Sequence, residues 1–259
     1  MIIGIDLGTT NSLVAIWQDG KAKIIPNALG ELLTPSVVSV DSDGSILVGQ
    51  SAKERLISHP EQTASVFKRF MSSQKVFRLG QQRFSSEELS ALVLGSLKAD
   101  AEAYLGTSVT EAVITVPAYF NDHQRQATKS AAQMAGLNVR RLLNEPTAAA
   151  MAYGLHELAG DSKFLVLDLG GGTFDVTLLE LFSGIMEVRA SAGDNSLGGE
   201  DVTELLIQGF IKHATSSSDS SSTAKASTSE FWQPYLSLLH GEAEACKRTL
   251  SVKEEAQMR

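Results

Sequence analysis

The chain has 259 residues, of which 43% are hydrophobic and 20% charged, which excludes a disordered chain and indicates an ordinary globular protein. Its net charge of -8 argues against bulk nucleic-acid binding, and its single cysteine, Cys246, excludes an internal disulfide framework. The sequence offers neither an apolar run long enough to cross a membrane nor, in residues 1–6, the basic start of a signal peptide. We therefore expect a cytoplasmic protein that binds neither nucleic acid nor membrane.

The first part of the chain carries the signals of strands and hairpins. Short β-branched runs predict three strands, at residues 2–7, 12–17 and 22–25. Asp19-Gly20 predicts the hairpin between the last two of them, and Asp43-Gly44 predicts another hairpin further along. This part of the chain is therefore expected to form sheet.

Helices are predicted next. Each runs from a capping residue to a glycine: Ser85 to Gly106, Asn121 or Asp122 to Gly136, and Asn144 to Gly154. Ser85 and Glu88 form a capping box at the start of the first helix. Between the first and second helices, residues 112–116 predict a buried strand that ends at Pro117.

The opening pattern returns in the second half of the chain. Residues 164–170 again form an apolar strand that ends in aspartate and a glycine turn, and strands are predicted at 175–180 and 186–190. The order of strand, aspartate, glycine and threonine thus occurs twice, at Asp6 and at Asp168, which predicts two related lobes.

The first glycine turn (residues 8–11) and the second glycine turn (residues 170–173) have the composition of a phosphate site. Glycine lets backbone N–H groups point at an anion, and threonine hydroxyls add donors. Because carboxylates repel phosphate, Asp6 and Asp168 suit such a site only if a hydrated Mg²⁺ lies between them and the phosphate. A single turn of this kind is usually an ordinary hairpin, but two at matching positions favour a clamp on a polyphosphate.

Other glycine-rich nucleotide sites do not fit the sequence. The Gly-x-x-x-x-Gly-Lys-Ser/Thr pattern of a P-loop does not occur. The glycines at 170–172 are followed by strand and not by the helix of a dinucleotide site. Further on, residues 215–229 are rich in serine and threonine and predict a flexible loop, after which Phe231 begins a helical segment.

Five segments carry a specific resemblance, at residues 3–12, 116–122, 144–150, 168–175 and 197–201. The first and fourth resemble the phosphate signatures of the superfamily of actin, sugar kinases and heat-shock chaperones. The other three resemble the DnaK-type chaperones, the seventy-kilodalton heat-shock class. Within that class, the short segment between Lys68 and Ser85 and the stretches at 144–156 and 191–195 are most similar to the bacterial HscC type.

This resemblance implies an α/β protein with the actin-like ATPase fold, in which duplicated ribonuclease-H-like lobes carry mixed sheets flanked by helices. It places lobe I at residues 1–158, with its core at 1–35 and 89–158 and an inserted subdomain at 36–88. It places the first part of an incomplete lobe II at 159–259, with a core at 159–200 and the start of an inserted helical subdomain at 201–259.

The resemblance also implies the site residues, position by position. The catalytic group would be Asp6, Lys68, Glu145, Asp168, Thr173 and Asp175. The nucleotide would contact Gly8, Thr9, Thr10 and Asn11 in the first glycine turn, Gly170, Gly171, Gly172 and Thr173 in the second, and Gly198 and Gly199. Asp6 and Asp168 would hold Mg²⁺ through water, Lys68 would contact the γ-phosphate, and Glu145 would place metal-bound water. A solvated lysine and a helix N-terminal acid are the plain alternatives for Lys68 and Glu145.

Glu244, Lys247, Arg248 and Ser251 resemble the first adenosine-binding segment of the family. Their spacing of i, i+3, i+4 and i+7 puts all four on one helix face, as a common ligand requires. A salt-bridged exposed face has the same spacing and stays an alternative.

Three further residues are similar to family residues that transmit nucleotide state or contact a co-chaperone. Pro117 and Arg125 match a relay that reports nucleotide state, and Arg141 matches a surface arginine that meets J-domain co-chaperones; a strand terminator and a solvated charge are the alternatives. Where relatives repeat an aspartate after 198–201, this chain has Val202-Thr203, so a carboxylate contact between the lobes is expected to be lost.

The function implied is that of a chaperone ATPase module that binds ATP or ADP with Mg²⁺ and K⁺. Its partners would be a J-domain co-chaperone, a nucleotide exchange factor, and unfolded peptide clients held by a further C-terminal domain. We expect the chain to be an N-terminal fragment of the nucleotide-binding domain, with weak or no activity by itself. An actin-like filament protein and a sugar or acid kinase stay as alternatives, although Lys68 argues against the filament and no kinase substrate signature is seen.

Overall fold

The computed structural model describes residues 1–155, 160–194, 196–216 and 229–258. The strands up to residue 144 are, in chain order, β1 (Ile2–Asp6), β2 (Asn11–Gln18), β3 (Lys21–Ile25), β4 (Thr34–Pro35), β5 (Val38–Val40), β6 (Ile46–Val48), β7 (Thr63–Ala64), β8 (Phe77–Leu79), β9 (Gln82–Phe84), β10 (Glu111–Val116) and β11 (Asn138–Asn144). The helices over the same range are α1 (Gln50–Lys53), α2 (Arg55–Ser58), α3 (Ser86–Leu105) and α4 (Asp122–Met134). A mixed α/β architecture follows, as predicted.

The larger sheet has the strand order β11-β10-β1-β2-β3, and β4 also pairs with β2. Strands β1, β10 and β11 run parallel, whereas β2 is antiparallel to β1 and to β3. Because parallel strands end at the same edge of a sheet, the ends of β1, β10 and β11 lie together. Asp6 ends β1, Pro117 follows β10, and Glu145 follows β11, so three predicted site residues share this edge.

Helices α3 and α4 cover the larger sheet and are fixed by local chemistry at their starts. Both begin with a capping box, Ser85 with Glu88 and Asn121 with Gln124, in which each side chain accepts a bond from the other residue's backbone N–H. Apolar side chains of α3, α4 and the sheet form one continuous core with almost no exposure. The predicted caps at Ser85 and Asn121 are confirmed, whereas Asn144 precedes its helix without a side-chain cap bond.

The inserted stretch between β4 and α3 carries two small sheets, β6-β5-β7 and β8-β9. A 3₁₀ turn, Phe67–Phe70, lies between them and holds Lys68. The hydroxyl of Ser86, at the start of α3, donates to the carbonyl of Phe67 at 2.9 Å. The 3₁₀ turn is therefore tied to the main core.

After α5 (Glu145–Ala152), a second sheet contains β12 (Ser162–Leu169), β13 (Phe174–Phe182) and β14 (Ile185–Asp194) in antiparallel order. Asp168 on β12 is the cross-strand partner of Asp175 on β13, so both side chains lie on the same face. The opposite face exposes three leucines of β12: Leu165, Leu167 and Leu169. The second glycine turn connects β12 to β13.

The last described elements are α6 (Gly199–Ser216), α7 (Ser229–Trp232) and α8 (Leu236–Leu250). Ile207 of α6 packs with Leu239 and Ala243 of α8 in a separate small core. The loop predicted for 215–229 is wrong at its ends, since residues 215 and 216 belong to α6 and residue 229 to α7; residues 217–228 lie outside the described residues. The Thr215 hydroxyl donates to the carbonyl of Lys212 at 2.9 Å, a bond that a helical turn permits. Among the described residues, no helix is both long and apolar enough to span a bilayer.

Candidate nucleotide-binding site

The two glycine turns meet at the edge of the larger sheet. A Cβ atom added to Gly171 would lie 1.8 Å from Oγ1 of Thr10, and one added to Gly172 would lie 2.4 Å from Cγ2 of Thr9. No side chain fits at either distance, so the close approach of the turns requires glycine at both positions.

Buried serines hold the first glycine turn in shape. The backbone N–H of Gly8 donates to Oγ of Ser12 at 3.1 Å, and the Ser36 hydroxyl donates to the carbonyl of Gly8 at 2.8 Å. The N–H of Ser36 also donates to the carbonyl of Thr10 at 2.9 Å. The Thr10 hydroxyl is buried and has no partner in the structure. Such an unsatisfied donor, on a turn of this composition, is suited to a phosphate oxygen.

Lys68 and Glu145 form a buried ion pair at the same edge. Nζ of Lys68 lies 2.9 Å from Oε1 of Glu145, and the two side chains are only 7% and 16% exposed. The plain alternative of a solvated surface lysine is therefore wrong for Lys68. Glu145 is the first residue of α5, so the helix N-terminus and Lys68 both act on its carboxylate.

Three aspartates surround this ion pair. Asp6 accepts a bond from the hydroxyl of Thr115 at 2.8 Å. Asp175 is 1% exposed, and its Oδ1 has no hydrogen-bond partner. A Cβ atom added to Gly193 would lie 2.8 Å from this oxygen, so glycine at that position leaves room for the carboxylate. Asp168 faces the same space from the neighbouring strand.

The carboxyl groups perturb one another. Burial raises the pKa of Glu145, and the charges of Asp6 and Asp168 add to this. Burial, followed by the charge of Asp6, raises the pKa of Asp168. Burial, followed by the charges of Glu145 and Asp168, raises the pKa of Asp175 to about 7. Lys68 opposes the shift in all three, but it does not cancel the effect of burial.

Such a cluster favours a divalent cation that relieves the repulsion. Within the described ranges, no group of three or more His, Cys, Asp or Glu residues is arranged to hold a metal ion. Two carboxylates, Asp6 and Asp168, suit a Mg²⁺ ion that keeps most of its water and takes its other ligands from phosphate. The donor set therefore fits hydrated Mg²⁺.

Tyr119, which follows β10, was not singled out from the sequence. Its hydroxyl is buried without a hydrogen-bond partner. Burial raises its pKa, and the charge of Asp175 raises it further, so the phenol stays protonated and available as a donor. The signal for it was the 116–122 segment, which resembles the chaperone class but does not mark which side chain points inward.

The start of α6 lies against the second glycine turn. The N–H of Gly199 donates to the carbonyl of Gly170 at 3.0 Å, and the N–H of Glu200 donates to that of Gly171 at 2.8 Å. A Cβ atom added to Gly198 would lie 2.6 Å from the Gly171 backbone. The structure thus brings Gly198 and Gly199 to the predicted phosphate site.

A comparison with protein families decides the classification. The model of the family described as Hsp70 protein matches residues 2–78 and 72–259. The chain belongs to the Hsp70 family. Its fold is therefore the actin-like ATPase fold, with mixed sheets flanked by helices, and the family is one of chaperone ATPases that bind ATP or ADP with Mg²⁺. The filament and small-molecule kinase alternatives are not favoured by this match.

The predicted adenosine segment of this Hsp70-family chain lies on α8 beside α6. Lys247 donates from Nζ to the carbonyl of Gly199 and to the hydroxyl of Thr203, both at 2.8 Å. Glu244 lies 2.5 Å from Lys247 and accepts a bond from Arg248 at 3.1 Å. Three of the four predicted residues are therefore in contact with one another. The Ser251 hydroxyl bonds to its own helix, at the carbonyl of Lys247.

The predicted relay residues of this Hsp70-family chain are joined by one guanidinium. Arg125 donates to the carbonyl of Pro117 at 3.5 Å and to Oδ1 of Asn144 at 2.9 Å. Since Asn144 precedes Glu145, Arg125 links the loop after β10 to the buried ion pair. Arg141 is exposed on β11, in a surface groove of about 520 Å³ between β11 and α4 that Arg125 also lines.

An ion pair that no sequence pattern signals joins the 3₁₀ turn at Phe67–Phe70 to the start of α6. Arg69, the neighbour of Lys68, donates from Nε to the carbonyl of Gly172 at 2.8 Å. Its two terminal nitrogens donate to the two carboxylate oxygens of Asp201. The expected loss of a carboxylate contact between the two halves is thus offset by Asp201, while Thr203 is buried and bonds to Glu244.

Proposed function

We propose that this Hsp70-family chain binds ATP and ADP with Mg²⁺ and hydrolyses ATP, with water as the nucleophile, at the weak rate expected of the chain by itself. The observation that supports this most directly is the buried Lys68–Glu145 pair, set among Asp6, Asp168 and Asp175 where the two glycine turns meet. Catalysis of phosphoryl transfer depends mainly on a fixed cation and on positioned carboxylates, and little on covalent chemistry by the protein. This cluster supplies the cation and the carboxylates.

Each group has a role consistent with its surroundings. The backbone of Gly8–Asn11 and Gly170–Thr173, together with the free hydroxyl of Thr10, would hold phosphate oxygens. Asp6 and Asp168 would hold Mg²⁺ through water, and the bound ion would neutralise phosphate charge; K⁺ is proposed as a second cation on the resemblance alone. Lys68, which Glu145 holds in place, would stabilise charge on the transferring phosphoryl group.

Asp175 is the carboxyl group best suited to exchange a proton. A group with a pKa of about 7 can accept a proton from water at neutral pH and return it, whereas an ordinary aspartate is too weak a base. The Tyr119 hydroxyl and Thr173 would orient water beside it. Glu145, which is held by Lys68, would act on orientation and not on proton transfer.

The adenosine would lie against α8. Glu244 and Lys247 are already joined to Gly199 and Thr203, so they would reach the ribose from a fixed position, with Ser251 one turn further on. Arg248 is 67% exposed at its side chain and would pack on the adenine ring.

The remaining proposals concern partners and subclass. Arg141 would meet a J-domain co-chaperone, and Pro117 with Arg125 would report nucleotide state to a domain that binds unfolded peptide clients; an exchange factor is a further partner. The short path from Lys68 to Ser85 supports the HscC type, although residues 156 and 195 of the compared stretches lie outside the described residues. The proposed lobe division at 158/159 also lies outside them, between α5 and β12. The reduced Cys246 suits the cytoplasm.

The test is single-turnover hydrolysis of ATP with Mg²⁺ by the Lys68→Ala variant. We expect hydrolysis to fall by about 100-fold or more while nucleotide binding is retained, because one fixed charge acts mainly on the transition state. The matched control is Lys21→Ala, at the exposed start of β3, which should hydrolyse like the parent. Near-normal turnover in Lys68→Ala would refute the assignment, and absence of Mg²⁺-dependent turnover in the parent would refute the activity.

A further inference from the structure

Arg69 and Asp201 join parts of the chain that are far apart in sequence. Arg69 lies on the 3₁₀ turn that also carries Lys68, and Asp201 lies in the first turn of α6. The guanidinium binds both oxygens of the carboxylate and, through Nε, the carbonyl of Gly172. This bidentate geometry is the strongest form of an ion pair between side chains. The side chains are 17% and 32% exposed, so solvent screens the pair only in part.

The position of Asp201 couples this pair to the second glycine turn. Two residues before it, Gly199 donates its N–H to the turn, and Glu200 does the same. Arg69 therefore holds the turn twice, directly at Gly172 and indirectly through α6. A displacement of α6 away from Arg69 would draw the second glycine turn with it.

The two glycine turns pack tightly against each other. A Cβ atom on Gly172 would lie 2.4 Å from Thr9 and 2.9 Å from Nε of Arg69. A polyphosphate held by both turns can enter or leave only if they separate. Some described contacts join residues 1–155 to the residues from 160 onward. Among these contacts, the Arg69–Asp201 pair is the one formed by opposite charges.

The backbone at the start of the 3₁₀ turn is strained. Val66 has φ 49° and ψ 20°, in the left-handed region that β-branched residues avoid. Such strain persists only where the surroundings hold the chain in place. Here the turn is held by its two cations, Lys68 at Glu145 and Arg69 at Asp201.

We propose that the Arg69–Asp201 pair is a latch that keeps the two glycine turns closed and sets how fast bound nucleotide leaves. The claim that the pair holds the two turns together is argued from the structure alone, whereas its effect on nucleotide release rests on the proposed function. No described hydrogen bond or ion pair joins the side chain of Arg69 or Asp201 to the Lys68–Glu145 pair, so opening the latch should change release far more than the chemical step.

The first experiment needs no nucleotide. Hydrogen exchange at the N–H groups of Gly199 and Glu200 reports separation of α6 from the second glycine turn. We expect Asp201→Asn to speed this exchange about tenfold, the usual loss for a partly exposed bidentate pair. Glu200→Gln is the matched control. It removes a charge from the same helical turn, but Glu200 pairs with His240 and not with Arg69. Equal exchange in Asp201→Asn and the control would overturn the latch.

The second experiment measures release of a fluorescent ADP in the presence of Mg²⁺. We expect Asp201→Asn and Arg69→Gln each to speed release about tenfold, and the double variant to release no faster than either single one. Additive effects, or unchanged release with normal binding, would overturn the role in release. A parent chain that binds no ADP would refute the proposed function, while the exchange result would still decide whether the pair holds the turns closed.

Discussion

Replacing Asp175 by asparagine is expected to stabilise the folded chain at pH 8, and this gain should shrink as the pH falls. The pKa of Asp175 is raised from 3.8 to about 7 by burial and by its neighbours Glu145 and Asp168. Above pH 7 the folded chain holds a buried carboxylate, whereas the unfolded chain holds a hydrated one. The ionised group therefore destabilises the fold, and protonation between pH 7 and pH 4 removes the penalty.

The magnitude follows from the two pKa values. A difference of one pH unit in pKa corresponds to about 1.4 kcal/mol, which gives a ceiling of about 4 kcal/mol for the penalty at pH 8. At pH 5 the folded chain is protonated and less than half of that penalty is left, so the gain from Asp175→Asn should fall by about 2–3 kcal/mol between pH 8 and pH 5. Any constant cost of fitting the new amide cancels in this difference.

The assay is urea unfolding of parent and variant without nucleotide, followed by circular dichroism across pH 5 to 8.5. Glu180→Gln on the same strand is the control of opposite sign. Its carboxylate accepts bonds from Arg189, which hold the pKa of Glu180 below its usual range, so the variant should lose stability at pH 8 and not at low pH. Parallel stability curves for parent and Asp175→Asn would show that Asp175 titrates normally, and its assignment as the proton acceptor would then fail.

The remaining predictions concern the ion pair and the close turns. Lys68→Ala should lower the free energy of unfolding by about 3 kcal/mol because Glu145 is left as an unpaired buried charge. Adding Glu145→Gln should recover most of this in the same unfolding assay, and an additive loss would contradict the pairing. Gly171→Ala should lower the melting temperature, since its Cβ would lie 1.8 Å from Thr10, whereas Gly209→Ala on open helix surface should raise stability by about 1 kcal/mol. Equal melting temperatures for these two alanine variants would mean that the turns are not in contact.

Features set by neighbouring residues could be predicted from the sequence. The capping boxes at Ser85 and Asn121 depend on residues three positions away, so their signals are complete within a few letters. The two aspartate-glycine turns were found because the pattern occurs twice. The capping signals are local, the repeat is seen by comparing two distant parts of the sequence, and both match the structure.

Features set by distant residues could not be predicted in this way. Strand β11 shows no alternation of apolar and polar residues, and it forms because β10 offers a parallel edge. The contacts of Ser36 with the first glycine turn and of Arg69 with Asp201 join residues with no pattern in common. Lys68 was found only through the resemblance, because nothing in its surroundings along the chain shows that it is buried.

Cys246 gives the chain a reporter that needs no engineered label. It is the single cysteine of the sequence, it is buried at 8% exposure, and it precedes Lys247 on α8. A thiol reagent can reach it only when α8 separates from its neighbours, so the rate of modification measures that opening. The same chemical readout can follow every variant described above and show whether a change at one glycine turn reaches the helix that would hold the adenosine.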